Sequence, residues 1–298
     1  MVEPMNTLAA RDKKACVFVG PAQSGKPVAL TTPIATPNGW KVFGDIHPGD
    51  YVFAHDGKPV PVVYETPIYT DRKCYRITFD DGTSIVCDEV HPWSVNDTRA
   101  RDPYKLIEKS TGEILKRYRI PTKGGTAFRY RYSIPNAKPL ALPEQQLPID
   151  PYLLGVWLGD GCRQHGYLYL GLDDAQHIIN RLKSRGHTCE VLPTAAAARG
   201  TAFRVKVHGL REKLKQEGLC GKKHIPAVYL RASESQRRDV LRGLIDTDGT
   251  VGRRGRVEFG SSDENLFPAV VELVRTLGYK AMCDAKVPTF SHKGEKRQ

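Results

Sequence analysis

No stretch of this 298-residue chain approaches the roughly 18 uninterrupted apolar residues that a membrane-spanning helix needs. Its first fifteen residues, MVEPMNTLAARDKKA, hold no apolar run of the signal-peptide kind. No membrane span is expected, and an intracellular location follows. CxxC spacing is missing too: Cys16, Cys74, Cys87, Cys162, Cys189, Cys220 and Cys283 are odd in number and scattered, which argues against a disulfide framework or a zinc site. Negative charge is scarce, with 33 Asp and Glu against 45 Lys and Arg, a net charge of +12 and a pI near 9.3. That excess favours a polyanionic partner but does not identify one. The polarity of a disordered chain is also absent. A hydrophobic fraction of 40% and a mean hydropathy of −0.42 are those of a globular protein, and the length predicts about two domains.

Residues 16–19, CVFV, have strand length, and Gly20-Pro-Ala-Gln-Ser-Gly25-Lys26 then matches GxxxxGK. In a phosphate-binding loop the glycines Gly20 and Gly25 let backbone N–H groups wrap the phosphates while Lys26 reaches the outer ones. Ser or Thr and a helix should follow. Pro27 stands there instead, and PVALTTPIATPNG has no helical period, so the motif breaks after Lys26. The stretch MNTLAARDKKACVFVGPAQSGK resembles phage terminase large subunits, the DNA-packaging ATPases. That resemblance implies an ATPase interrupted inside its phosphate-binding loop. Joining Lys26 to a downstream Ser or Thr would restore GPAQSGK[ST].

From Pro27 the pattern changes to short strands and turns: Pro37-Asn-Gly39, Pro48-Gly49-Asp50, Asp56-Gly57 and a hairpin at Asp81-Gly82. An all-β unit is predicted. TPNGWKVFGDIHPGDYVFAHDGK followed by ITFDDGTSIVCDEVHPWSV resembles the first two blocks of the intein splicing domain, the HINT fold. The resemblance implies that residues 27–98 are its N-terminal part, that Lys26 and Pro27 flank the splice junction, and that His91 polarises the scissile peptide and protonates its departing nitrogen. Imidazole titrates near working pH, which suits that role. Residue type alone would leave His91 a packed turn histidine. Two positions depart from the usual pattern: neither Pro27, Val28 nor Ala29 offers the customary nucleophile, and Asp88 stands where threonine is common. Class 3 inteins lack the first nucleophile, use a later cysteine, and carry tryptophan two residues after the histidine, where Trp93 stands. The alternative for Trp93 is core packing.

Two segments share one design, Leu153-Leu-Gly-Val-Trp-Leu-Gly-Asp160-Gly161 and Leu241-Arg-Gly-Leu-Ile-Asp-Thr-Asp248-Gly249, separated by 248 − 160 = 88 residues. Small residues four apart, Gly155 with Gly159 and Gly243 with Thr247, leave flat stripes on which two helices can approach closely. The final glycines are predicted to terminate the helices. Such packing would bring Asp160 and Asp248 together, where carboxylates must share a proton or bind cations such as Mg²⁺. Either segment alone would read as an amphipathic helix; their recurrence favours the site. They resemble LAGLIDADG homing endonucleases, with Leu158 departing from the pattern. That resemblance implies an α/β endonuclease over residues 141–298, monomeric with two pseudo-symmetric halves, cutting double-stranded DNA with Mg²⁺ held by Asp160 and Asp248. Lys223-His-Ile-Pro226 matches a family segment and implies that Lys223 assists catalysis.

Residues 99–140 are predicted to be a basic DNA-contacting or linker region. From Arg99 to Lys138 eleven Lys and Arg face three acids, interleaved with Tyr104, Tyr118, Phe128, Tyr130 and Tyr132. Arg253-Arg254-Gly255-Arg256 lies where the resemblance places a DNA-reading ribbon. After the second motif 298 − 248 = 50 residues remain, fewer than the 88 that separate the motifs, so an incomplete second half is expected. The sequence thus predicts a β-rich HINT domain followed by an α/β endonuclease. The alternatives are a terminase ATPase for DNA packaging and a degenerate DNA-binding remnant.

Overall fold

The computed structural model describes residues 16–17, 28–125, 127–193, 202–252, 255–285, 290–292 and 295–297. Its first unit is built of short strands: β1 (Cys16–Val17), β2 (Val28–Ala29), β3 (Pro33–Thr36), β4 (Gly39–Val42), β5 (Tyr51–Phe53), β6 (Pro59–Pro61), β7 (Cys74–Thr78), β8 (Ser84–Asp88), β9 (Pro92–Asp97) and β10 (Leu106–Ser110). Helix α1 (Thr111–Arg117) interrupts them, and β11 (Arg119–Pro121), β12 (Phe128–Tyr130) and β13 (Tyr132–Ser133) follow. The main sheet has the order β1-β2-β8-β7, and a second sheet has the order β10-β9-β13. The predicted Asp81-Gly82 turn joins β7 to β8, with Ile77 opposite Ile85. Between the sheets lies a small core of Val28, Phe43, Ile46, Val62, Cys87, Trp93 and Val95.

The basic stretch is part of this unit and is not an unstructured linker. β10 pairs with β9 from Leu106 opposite Asn96 to Ser110 opposite Pro92, and β13 pairs with the other edge of β9. Helix α1 starts there because Ser110 and Glu113 form a reciprocal capping box.

The second unit contains α2 (Pro151–Asp160), β14 (Tyr167–Gly171), α3 (Leu172–Ser184), β15 (Cys189–Leu192), β16 (Ala202–Val207) and α4 (Leu210–Gln216). It continues with α5 (Ala227–Leu230), α6 (Glu234–Asp248), β17 (Gly249–Val251), β18 (Val257–Phe259), α7 (Leu266–Thr276), β19 (Phe290–His292) and β20 (Glu295–Arg297). Helix α2 is its centre. Every residue from Tyr152 to Leu158 is buried, so this helix is apolar all round instead of amphipathic. Asp150 caps its N-terminus by accepting from Leu153 N at 3.0 Å, with Pro151 in the first turn. The sheet β14-β16-β15 turns Leu168, Leu170, Val205 and Val207 inward, and α3 covers them with Ala175, Ile178, Ile179 and Leu182. The order of strand-rich unit first and α/β unit second is the one the sequence predicts.

Candidate active sites

The two repeated motifs form the packed helix pair α2 and α6, and the small-residue stripes are where they touch. A Cβ on Gly155 would lie 2.2 Å from Val240 O and 2.9 Å from Gly243 Cα; one on Gly243 would lie 2.3 Å from Tyr152 O. Backbone therefore meets backbone, which no residue with a side chain permits. A Cβ on Gly159 would lie 2.0 Å from Thr247 Oγ1 and 3.4 Å from Asp248 Oδ2. Asp248 thus reaches the last turn of α2, which ends at Asp160. Gly161 and Gly249 cap the two helices, as the sequence predicts. Their φ values are −81° and −87°, not left-handed, and glycine is needed because a Cβ would strike Trp157 O at 2.3 Å or Ile245 O at 2.4 Å.

This packing places two carboxyls at one end of the helix pair, Asp160 half-buried and Asp248 more open to solvent. Burial foremost, and then the neighbouring Asp248 carboxylate, raise the Asp160 pKa to about 6; burial raises that of Asp248 as well. Lys223 opposes both shifts. It is 9% exposed, donates from Nζ to Gly159 O at 2.5 Å and sits 5.7 Å from the Trp157 ring centroid. Burial lowers its own pKa while Asp248 and Asp160 pull it up. Two repelling oxygen donors with one ammonium coupled to both match the hard-cation chemistry of Mg²⁺, which is commonly held by one or two carboxylates plus substrate phosphates. Among the described residues no group of three or more His, Cys, Asp or Glu could hold a metal ion. Further ligands would therefore be carbonyl, water or phosphate oxygens.

A second constellation surrounds His91. The rings of His91 and Trp93 meet edge to face with centroids 4.8 Å apart. Trp93 Nε1 donates to Thr111 Oγ1 at 3.0 Å, and Thr111 N donates to His91 O at 2.9 Å. Cys87 Sγ also lies 3.3 Å from Thr111 Oγ1, and burial pushes its thiol up to about 11, so it is protonated at neutral pH. Asp88, where threonine is common, is buried; it accepts from Arg72 Nη1 at 2.8 Å and from Val90 N at 3.1 Å. The residue missed in the sequence is Thr111, which ties Cys87, Trp93 and His91 together. Its only sequence signal is the capping box at Ser110 and Glu113.

Gly20, Gly25, Lys26 and Pro27, with Arg253 and Arg254, lie outside the described residues. In the basic stretch Arg131 holds Asp97 through two bonds of 2.9 and 2.7 Å, and Lys109 pairs with Glu113. Arg131 and Lys109 thus serve the fold. Tyr104, Phe128 and Tyr130 remain 89%, 62% and 64% exposed.

Comparison with known proteins gives a family model for part of the chain and several relatives. Residues 235–297 match the model of the LAGLIDADG-like domain. The replicative DNA helicase DnaB of Mycobacterium intracellulare is 37% identical over 278 residues, 88% of this chain and 44% of that protein. DnaB of Mycobacterium leprae is 48% identical over 69 residues, 23% of this chain and 11% of that protein. The chain therefore spans less than half the length of these curated relatives. Among solved structures, the MchDnaB-1 intein is 46% identical over 23% of this chain and 52% of its own, with TM-score 0.23. The zinc-bound Msm DnaB1 intein splicing domain is 34% identical over 36% of this chain and 79% of its own, with TM-score 0.26. The terminase host expected from residues 5–26 finds no support; the relatives are helicases. A GxxxxGK loop serves nucleotide-hydrolysing motors of many kinds, so it does not distinguish among them.

Proposed function

We propose that this chain, which joins an intein-type strand-rich unit to a LAGLIDADG-like domain, belongs to a self-splicing precursor whose inserted endonuclease cuts double-stranded DNA with Mg²⁺. The observation that carries the reading is the pair Asp160 and Asp248, delivered to one point by helices in backbone contact, with Lys223 buried beside them. When bound, Mg²⁺ supplies Lewis-acid polarisation of the scissile phosphodiester. The chain's own residues do the rest. Asp160 and Asp248 present oxygen donors and accept a proton from the attacking water. Lys223, fixed by Gly159 O, favours the ionised form of both acids and faces the negative charge that grows at phosphate.

DNA affinity is assigned to the strand β12 with its neighbours, where exposed Phe128 and Tyr130 flank Arg129, and to Arg256 after the second motif. In the splicing unit, His91, oriented by Trp93 and Thr111, would polarise the peptide between Lys26 and Pro27, with the nucleophile supplied as in class 3. The host proposed for the interruption is a DnaB-type helicase, because the curated relatives that match this chain are DnaB helicases. The unit boundaries proposed are 27–98 for the first splicing blocks, 99–140 for the DNA-contacting extension folded onto them, and 141–298 for the endonuclease.

The test is selection from a randomised duplex library incubated with the chain and Mg²⁺. Wild type should release cut products, whereas Asp160→Asn and Asp248→Asn should bind the same duplexes and leave them whole. Binding without Mg²⁺-dependent cutting by wild type would overturn the assignment and leave a DNA-binding remnant.

A further inference from the structure

The segment joining the two units has no regular secondary structure, yet it is held on both sides. Toward the strand-rich unit, Lys138 N donates to His55 O at 3.0 Å and Ala141 N to Gly57 O at 2.7 Å. Gly57 has φ +81°, and a Cβ there would lie 2.0 Å from Pro139 O. Toward the endonuclease, Leu140 N donates to Thr276 O at 2.9 Å, and Gly278, at φ +78°, passes so near that a Cβ would lie 2.7 Å from Ala137 O. Two glycines on opposite sides thus clasp five residues of chain.

The clasp is fastened by the first turn of α6. Arg237 is fully buried with no carboxylate bonded to it. Its guanidinium donates to Ala232 O at 2.9 Å, to Thr276 O at 2.6 Å and to Leu140 O. Burial lowers its pKa to about 10, so it stays charged at neutral pH. Next to it, Gln236 accepts from Gln145 N at 3.0 Å and donates to Gln145 O at 2.7 Å. Ion pairs of Arg275 with Asp81 and of Lys280 with Asp80 add a second tie between the units. Helix α6 is one rod of 15 residues, about 22 Å long, with this clasp at its start and Asp248 at its end.

We propose that Arg237 is a positioning residue, locking the segment 137–141 so that the DNA-contacting surface of the strand-rich unit and the Asp160–Asp248 centre form one rigid body. This rests on the endonuclease reading above. A duplex that spans both surfaces then meets two contacts already in register, whereas a loose joint would leave the second contact to chance encounter.

Two measurements on the full chain separate the outcomes. The first is amide exchange without DNA. In wild type Lys138, Leu140 and Ala141 should be protected; Arg237→Met, and independently Gly57→Ala, should remove that protection while Leu154 in α2 keeps its own. Wild-type exchange at these amides as fast as in an open linker would overturn the proposal whether or not the chain cuts DNA. The second is binding and cleavage of the selected duplex and of one trimmed at the end covered by the strand-rich unit. Both variants should weaken binding of the long duplex about tenfold, leave the trimmed duplex unchanged and preserve kcat. Equal weakening on both duplexes, or none, would show that the clasp only supports the fold. Absence of any wild-type binding would sink the endonuclease reading, and the exchange result would still decide the rigidity.

Discussion

Replacing Gly155 with alanine tests the helix contact on which the metal-binding assignment stands. In an ordinary helix interior the change would stabilise the protein by about 1 kcal/mol. Here the added carbon would sit 2.2 Å from Val240 O, so reaching ordinary contact at 3.4 Å requires α6 to retreat by about 3.4 − 2.2 = 1.2 Å. Forced overpacking costs roughly 1–3 kcal/mol, which cancels or exceeds the propensity gain, and a net loss of up to about 2 kcal/mol is expected in place of the usual stabilisation. The same shift moves Asp248 relative to Asp160, and a displacement near 1 Å at a reacting centre lowers the rate by about 100-fold. Urea unfolding measures the first quantity and cleavage of a selected duplex the second. Gly260→Ala is the control: a Cβ there meets nothing within 4 Å, so stability and cutting should hold. If Gly155→Ala were neutral or stabilising with cutting intact, the backbone contact would not be what sets the carboxylates.

Other perturbations follow from the same geometry. Because the Asp160 pKa is raised from 3.8 to about 6, the folded chain binds this proton more tightly than the unfolded one. Its contribution to stability is therefore full below about pH 4 and is lost as pH rises to 6. Asp160→Asn should accordingly raise stability at pH 7 by roughly 1–2 kcal/mol after a discount for solvent screening at this half-buried group, with no gain at pH 4, while abolishing cutting; urea midpoints at the two pH values check the sign. Lys223→Met should raise both carboxyl pKa values further and stop cutting, which a ¹³C titration of the aspartates and a cleavage assay would follow. Cys87, with its thiol near 11, should resist iodoacetamide at pH 8 while exposed Cys74 and Cys283 react; labelling of Cys87 at a similar rate would contradict its burial. In a full precursor, His91→Ala should block cleavage at Lys26–Pro27. Trp93→Phe, which deletes the bond to Thr111, should slow it, as read by product bands on a gel.

The parts of this molecule that were legible in the sequence are those encoded locally. The stripes Gly155/Gly159 and Gly243/Thr247 predicted which helix faces meet, because the period of a helix fixes a face within a few residues. The Asp81-Gly82 turn predicted a hairpin for a similar reason. Thr111 was not legible, since its partners Cys87, His91 and Trp93 are 18 to 24 residues away and pairing across strands leaves no mark at that spacing. The clasp was less legible still. Arg237 looks like one more charge at the start of a helix, and only the fold reveals that it is buried against Leu140, 97 residues earlier. The terminal glycines were legible as helix ends, but that they are needed for the missing Cβ is visible only in the fold.

The close fit of Gly57 against Pro139 also determines where the strand-rich unit can be cut free. Ending it at Ser133, the last residue of its sheets, would strip the acceptors at His55 and Gly57 of the donors at Lys138 and Ala141 and bare a concave turn shaped for another stretch of backbone. Ending it after Ala141 carries that backbone along. A minimal splicing unit made by deleting the endonuclease should therefore keep residues through 141, although they look from the sequence like the beginning of the domain being removed.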